Sequence, residues 1–263
     1  MQPVSVTIVG AGNVGYHLAW HLHNAGHRVE QVFSRHLPAA RWVGTLLDIP
    51  YTNRLEDIKP DSDIFLISVK DDAIGEVVNR LRLPEKIVAH TSGTVPMDLL
   101  QPVSSHYGIF YPLQTLSRNI SVDFSAIPFC INGSDDFTYE ALRQLALSLT
   151  RKVVRIDDRQ RLAIHVAAVF ANNFTNHLFA IAQRILEHHD LSFEILKPLI
   201  GETVRKIQNH PPVNVQTGPA VRGDVQTIAR HLEFLRDLDG FSDLYRQLTQ
   251  SIEQLHQPAH AGR

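Results

Sequence analysis

A chain of 263 residues can form one large domain or two modest ones with a buried core, which excludes a small disulfide-stapled fold. Its 25 Lys and Arg against 27 Asp and Glu leave a formal charge of -2, so net charge points to no polyanionic partner; 44% hydrophobic and 20% charged residues is ordinary globular composition. A single cysteine, Cys130, excludes intrachain disulfides and cysteine-based zinc or iron–sulfur sites, and fits a reducing cytoplasm.

The sequence opens on a strand-like run without the basic and apolar segments of a signal peptide, so no leader is expected, and no stretch of about 18 apolar residues predicts a membrane span. Up to residue 157, short β-branched runs alternate with helical ones. Strands are predicted over residues 4–9, 29–33, 64–69, 87–90, 128–131 and 153–156, and helices over 12–25, 39–47, 74–81 and 139–149. Such alternation predicts βαβ units on a mostly parallel sheet. From residue 158 strand signals nearly vanish. Residues 159–188 carry no Gly or Pro and predict one long helix, about 45 Å at 1.5 Å per residue. Residues 191–208 read as helical around Pro198, 210–223 as a Pro- and Gly-rich loop, 225–238 and 243–255 as amphipathic helices, and 257–263 as a disordered end. The fold class is therefore α/β with a second, all-helical domain, divided near Asp157 into residues 1–157 and 158–263.

Gly10-Ala11-Gly12-Asn13-Val14-Gly15 follows the first strand at once and opens a helix. In that context Gly10 permits a tight turn, Gly12 lets the backbone approach a pyrophosphate and Gly15 lets helix and strand pack closely. The helix start, at Asn13 and Val14, presents N–H groups to the anion. The second strand ends at Ser34 and Arg35, where an acidic residue would bind the ribose 2′-hydroxyl of NAD. A hydroxyl and a guanidinium suit a 2′-phosphate instead, which favours NADP(H). Further strand ends bring Val69 and Lys70, then Thr91, Ser92 and Gly93, to the edge of the sheet where ligands lie. Lys70 faces either the cofactor phosphates or water. Asp71 and Asp72 cap the next helix or face the ligand, and the hydroxyls of residues 91–94 cap a helix from Pro96 or line the nicotinamide pocket.

These residues resemble the NADP-binding half of the 6-phosphogluconate dehydrogenase-like superfamily, which includes pyrroline-5-carboxylate reductase and β-hydroxyacid dehydrogenases. More specifically, His90-Thr91-Ser92-Gly93-Thr94-Val95-Pro96, the run from Tyr107 through Gln114 to Thr115, Phe170-Ala171-Asn172-Asn173-Phe174 and Gln216-Thr217-Gly218-Pro219-Ala220 with Arg222 and Asp224 are similar to a bacterial family. Its members pair a Rossmann-like domain with a C-terminal domain of unknown function and carry NADP oxidoreductase names. The resemblance spans nearly the whole chain. It implies a Rossmann-type sheet, a helical domain like the C-terminal half of 6-phosphogluconate dehydrogenase, NADP(H) as cofactor, and a homodimer formed through the helical domain. It also implies that the long helix faces the nicotinamide. Several superfamily members carry a catalytic Lys four residues before an Asn, whereas Ala168 and Val169 precede Asn172 and Asn173 here.

On an ideal α-helix His165, Asn172 and Asn176 project within about 40° of one another, with Asn173 on the same side. His165 is the candidate general acid in place of the lysine, or a satisfied structural residue, and Asn173 is a candidate beside it. Ser92, Gly93, His106, Gln114, Asn172, Thr217 and Arg222 are candidate substrate contacts. Arg222 serves equally as an ion-pair partner within the helical domain, and Asp224 as a helix cap. No His pair at i, i+4 recurs with an acid in the H-E-x-x-H sense. The expected function is NADPH-dependent reduction of a small carbonyl or imine, with a non-catalytic NADP-binding sensor as the alternative. Neither a nucleic acid nor a membrane is an expected partner. The 15 histidines, spread from His17 to His260, are too dispersed for a tag.

Overall fold

The computed structural model describes residues 2–238 and 240–256. Its contacts divide the chain into two compact units, Met1–Asn172 and Asn173–Arg263. That division lies inside the helical run that begins at Asp158, fifteen residues beyond the point at which the sequence pattern turns from α/β to helical.

The first unit is built on strands β1 (Ser5–Val9), β2 (Arg28–Phe33), β3 (Tyr51–Thr52), β4 (Ile64–Ile67), β5 (Ile87–His90), β6 (His106–Pro112), β7 (Phe129–Gly133) and β8 (Val153–Arg155). They form one sheet in the order β3-β2-β1-β4-β5-β6-β7-β8, parallel except between β6 and β7. Helices α1 (Asn13–Asn24), α2 (Leu37–Leu47), α3 (Asp71–Arg80) and α4 (Asp136–Leu147) flank it. Successive residues of a strand point to opposite faces, and the two cores follow from that. Val6, Ile8, Ile64 and Leu66 pack with Leu18 and Leu22 of α1 on one face; Val9, Phe65 and Ile67 pack with Ile74 and Val77 of α3 on the other.

Two strands escape the sequence pattern. β3 has two residues, and β6, where no strand was predicted, carries Gly108 and Pro112, which interrupt a β-branched pattern. Gly108 is required at its place, because a Cβ would come within 2.4 Å of the Asn132 carbonyl oxygen on β7. The expected helix from Pro96 is a single 3₁₀ turn, Met97–Leu100.

The last helix of the first unit, α5 (Asp158–Ala168), begins with a reciprocal cap: the Asp157 carboxylate accepts from the Gln160 N–H and the Gln160 side chain accepts from the Asp157 N–H. From Val169 to Phe174 the backbone widens into a π-helical turn before α6 (Thr175–Glu187). The helical run is therefore not the uniform α-helix the sequence pattern implied, and an ideal α-helical wheel does not hold beyond Ala168.

The second unit comprises α6, α7 (Lys197–Asn209), α8 (Pro219–Arg222), α9 (Val225–Phe234) and α10 (Phe241–His256). Asp224 caps α9 by accepting from the Thr227 N–H at 3.0 Å. Among its described residues only Ala220 and Leu235 are buried, while Leu199, Val225 and Leu255 stand largely exposed. The expectation for residues 257–263 lies outside the described residues. Among those described, no helix is long and apolar enough to cross a membrane.

Candidate functional site

β1 is buried along its whole length and ends at a glycine turn whose shape is dictated by its neighbours. Gly10 adopts φ +126°, which an L side chain rarely takes, and a Cβ there would lie 2.6 Å from the Ser68 carbonyl carbon. A Cβ on Gly15 would lie 1.7 Å from the Gly10 oxygen. Gly12 differs: a Cβ on it would meet only the Ser68 oxygen, at 3.9 Å, so the space before it is open. Gly12 is also the N-cap of α1, and no side chain caps the helix. Uncapped first-turn N–H groups and the positive end of the helix dipole are a binding place for an anion.

The open space is a cavity of about 490 Å³ between the carboxyl ends of β1, β2 and β4. It is lined by the glycine turn from Gly10 to Val14, by Phe33 to His36, and by Ser68, Val69 and Lys70, with Glu76 on α3 and Leu116 completing the wall. This is the switch point of the sheet, where β1 stands between β2 and β4. Ser68 Oγ donates to the Gly10 oxygen at 2.8 Å and holds the turn. Lys70 is the N-cap of α3, so Asp71 and Asp72 fall in its first turn rather than at the cap.

Past β2, Ser34 Oγ accepts from the His36 N–H at 3.3 Å, and His36 is the N-cap of α2 without a side-chain capping bond. Arg35 donates to Glu76 at 3.0 Å, and Arg80 donates to the same carboxylate at 3.3 Å. Both ends of the Arg35–Glu76 pair are exposed, so solvent screening keeps it to a fraction of a kcal/mol, which leaves Arg35 cheap to redirect. Glu30 is turned away from this site and pairs with Arg28 at 3.4 Å. Arg118 escaped sequence reasoning. It donates to the Ala11 oxygen of the glycine turn and lies over the Trp42 ring, 5.3 Å from its centroid.

A second cluster occupies the carboxyl ends of β5 and β6. Thr91 N–H donates to the Ile67 oxygen at 3.0 Å, and Ser92 Oγ accepts from the N–H groups of Thr94 and Val95 at 3.1 and 3.0 Å. Thr94 Oγ1 donates to Asp71 at 2.6 Å. His90 is fully buried; its Nδ1 accepts from the Ser92 N–H at 3.2 Å and its Nε2 lies 3.4 Å from the Pro96 oxygen. Burial, reinforced by the Arg161 charge, pushes its pKa down to about 4, so it is a neutral pin for this loop.

α5 is latched to the same loop. Asp158 accepts from the Met97 N–H at 2.9 Å, and Arg161, 1% exposed, donates to Asp158 at 2.7 Å and to the Val95 oxygen. One turn further on, the His165 ring lies where a Cβ on Gly93 would be, 2.4 Å from Nδ1, and His165 Nδ1 is 3.1 Å from Tyr111 Oη. Tyr111 is half-buried, and burial, with Cys130 beside it, pushes its pKa up to about 12. Neither Tyr111 nor Arg161 was singled out from the sequence.

The remaining candidates scatter. His106 does not join the substrate region: it starts β6, opposite Ile87 at the amino end of β5, and its Nδ1 lies 3.0 Å from Asp135, which caps α4. Partial burial raises the Asp135 pKa, but bonds from Thr138, His106 and Ser134 outweigh this and hold it at about 2. Gln114 is exposed beyond β6 and bonds the Thr115 N–H at 2.9 Å, while Asn172 donates to Thr115 Oγ1. Asn173, Thr217 and Arg222 belong to the second unit; Asn173 sits in the π turn, Thr217 precedes Gly218 at φ +113°, and Arg222 ends α8. Among the described residues no three His, Cys, Asp or Glu side chains are grouped to hold a metal ion.

Sheet order, glycine turn and cavity define the first unit as a Rossmann-like domain. Residues 1–114 match the model of a Rossmann-like domain, and residues 127–252 match the domain of unknown function DUF2520. The crystal structure of a "putative NADP oxidoreductase BF3122" from Bacteroides fragilis is 37% identical, covers 96% of this chain and 98% of its own, and superposes with a TM-score of 0.89. The chain belongs to the family of that protein, in which a Rossmann-like domain is joined to a DUF2520 domain. Two more distant structures share its fold. A reductive aminase from Aspergillus terreus in complex with NADPH and ethyl-5-oxohexanoate is 12% identical, with 96% and 93% of the two chains covered and a TM-score of 0.75. An imine reductase from Myxococcus stipitatus in complex with NADP+ is 15% identical, with 95% and 92% covered and a TM-score of 0.62. No curated protein sequence matches the chain.

Proposed function

We propose that this protein is an NADP(H)-dependent oxidoreductase that reduces a small carbonyl or imine compound by hydride transfer. The observation that carries the reading is the cavity in which an uncapped helix start, an open-faced Gly12 and the Ser34–Arg35 pair converge with no acid at the end of β2. The first-turn N–H groups of α1 hold the diphosphate, and Arg35 with Ser34 holds the 2′-phosphate by charge-assisted bonds. Bound there, the nicotinamide supplies the hydride. Val69, Lys70 and Thr91 flank the cofactor, and Ser92 and Gly93 face the substrate. The family's NADP oxidoreductase name and the ligands of the two distant structures support the same reading.

The exposed apolar residues of the helical unit, Leu199, Val225 and Leu255 among them, support a homodimer formed through it, since isolated soluble surfaces seldom carry so much unpaired apolar area. Sedimentation of the full chain is expected to give a dimer that Val225→Asp with Leu255→Asp breaks into monomers. A wild-type monomer contradicts this.

The cofactor reading is tested by fluorescence titration with NADPH and NADH. Wild type is expected to bind NADPH with micromolar affinity, and Arg35→Ala to weaken NADPH 10- to 100-fold while NADH changes less than threefold. Equal losses for both cofactors would exclude Arg35 from reading the 2′-phosphate, and absence of NADPH binding would overturn the function.

A further inference from the structure

We propose that Tyr111 is the proton donor of the reduction and that His165 positions and reloads it. The inference rests on the cofactor reading above.

Four observations converge on this pair. Tyr111 lies at the carboxyl end of β6, the sheet edge that also carries the glycine turn, because β6 runs parallel to β5 and β5 to β4. Its Oη is 3.1 Å from His165 Nδ1, the two rings meeting edge to face at 62°. The imidazole is held there by construction. Gly93 leaves room for the ring, and the Arg161–Val95 and Asp158–Met97 bonds fix α5 against the loop that carries Gly93. α5 contains no lysine, so it supplies no primary amine for the task.

The chemistry balances without a further reactant. As the carbonyl carbon gains hydride from the reduced nicotinamide, the C=O π pair moves to oxygen; the Tyr111 O–H bond breaks and a new O–H bond forms on the product. The His165 Nδ1 proton passes to the phenolate, and Nε2 takes a proton from solvent, which leaves the ring neutral in its other tautomer. Arg161, Asp71 and Cys130 are the other titratable groups whose charges act on Tyr111. Arg161 is paired to Asp158 and Asp71 accepts from Thr94; burial, with Cys130 and Asp71 nearby, keeps the phenol protonated. A phenol held protonated suits an alkoxide, which needs a proton.

The test uses the full chain as wild type, Tyr111→Phe and His165→Gln. It combines NADPH titration, NADPH oxidation at 340 nm with small ketones, aldehydes and cyclic imines, and ¹⁵N-histidine NMR without cofactor. Wild type is expected to oxidise NADPH with carbonyl compounds. Tyr111→Phe is expected to lower kcat at least 100-fold with NADPH affinity unchanged within twofold. His165→Gln is expected to lower kcat about tenfold with KM unchanged, and the His165 Nδ1 resonance to move in Tyr111→Phe. Failure to bind NADPH would overturn the cofactor reading and this proposal with it. Where NADPH binds, Tyr111→Phe turnover within threefold of wild type, reduction of nothing in the panel, or an unmoved Nδ1 resonance overturns the assignment of Tyr111 only.

Discussion

The two units solve the burial problem differently. Met1–Asn172 closes a core on each face of its sheet, whereas the described part of Asn173–Arg263 buries only Ala220 and Leu235. A fully buried aliphatic side chain contributes about 1.5–3 kcal/mol, so the first unit carries its own stability. The second leaves Leu199, Val225 and Leu255 largely exposed. Every residue of the glycine cavity belongs to the unit that is complete, which is where a rigid cradle for a cofactor is best built.

Substitutions can break this contrast in descending order of effect. Gly15→Val places a side chain on the Gly10 oxygen, and is expected to abolish NADPH binding and lower the thermal midpoint of the first unit by more than 10 °C; calorimetry with NADPH titration checks both. In the second unit, Gly201→Ala on α7 meets no atom within 4 Å and replaces glycine by the better helix former, so it should not lower the midpoint. A large loss there would show that the helical unit is packed as tightly as the first.

The next effect is a pH dependence confined to the first unit. The His90 pKa is depressed to about 4 in the folded chain, so the unfolded chain binds more protons between about 4 and its ordinary value of 6.5. Stability conferred by neutral His90 is therefore present above pH 6.5 and falls as pH drops through that window, by on the order of 3 kcal/mol in all. His90→Asn should flatten this part of the urea-denaturation profile; a slope unchanged by the substitution contradicts the assignment. The smallest effect compares two caps. Asp135→Ala loses a carboxylate that also holds His106, and is expected to cost more stability than Asp224→Ala, which loses the α9 cap. Chemical denaturation that ranks the two in reverse would break the comparison.

The sheet of the first unit was legible because strand periodicity and the glycine turn are local signals; all six predicted strands are present, within one or two residues at their ends. β6 was not legible, since Gly108 and Pro112 interrupt its pattern and its partners come from 17 to 25 residues away. The same gap misplaced His106, because adjacency in a motif does not reveal which end of a strand a residue occupies. The π turn at Val169–Phe174 is equally silent in sequence and defeats an α-helical wheel that groups His165 with Asn172. Tyr111 and Arg161 became visible only through contacts 54 and 66 residues away along the chain. The histidine abundance gains a partial account: His17, His27 and His90 each bond a backbone group of a distant or neighbouring loop, and His106 bonds a helix cap.

A crystal structure of the chain grown with NADPH tests the central claim most directly. The account predicts the diphosphate on the backbone N–H groups of Asn13 and Val14 and the 2′-phosphate within hydrogen-bond distance of Arg35 and Ser34. A dinucleotide bound elsewhere, or a 2′-phosphate directed into solvent with Arg35 still on Glu76, would contradict it.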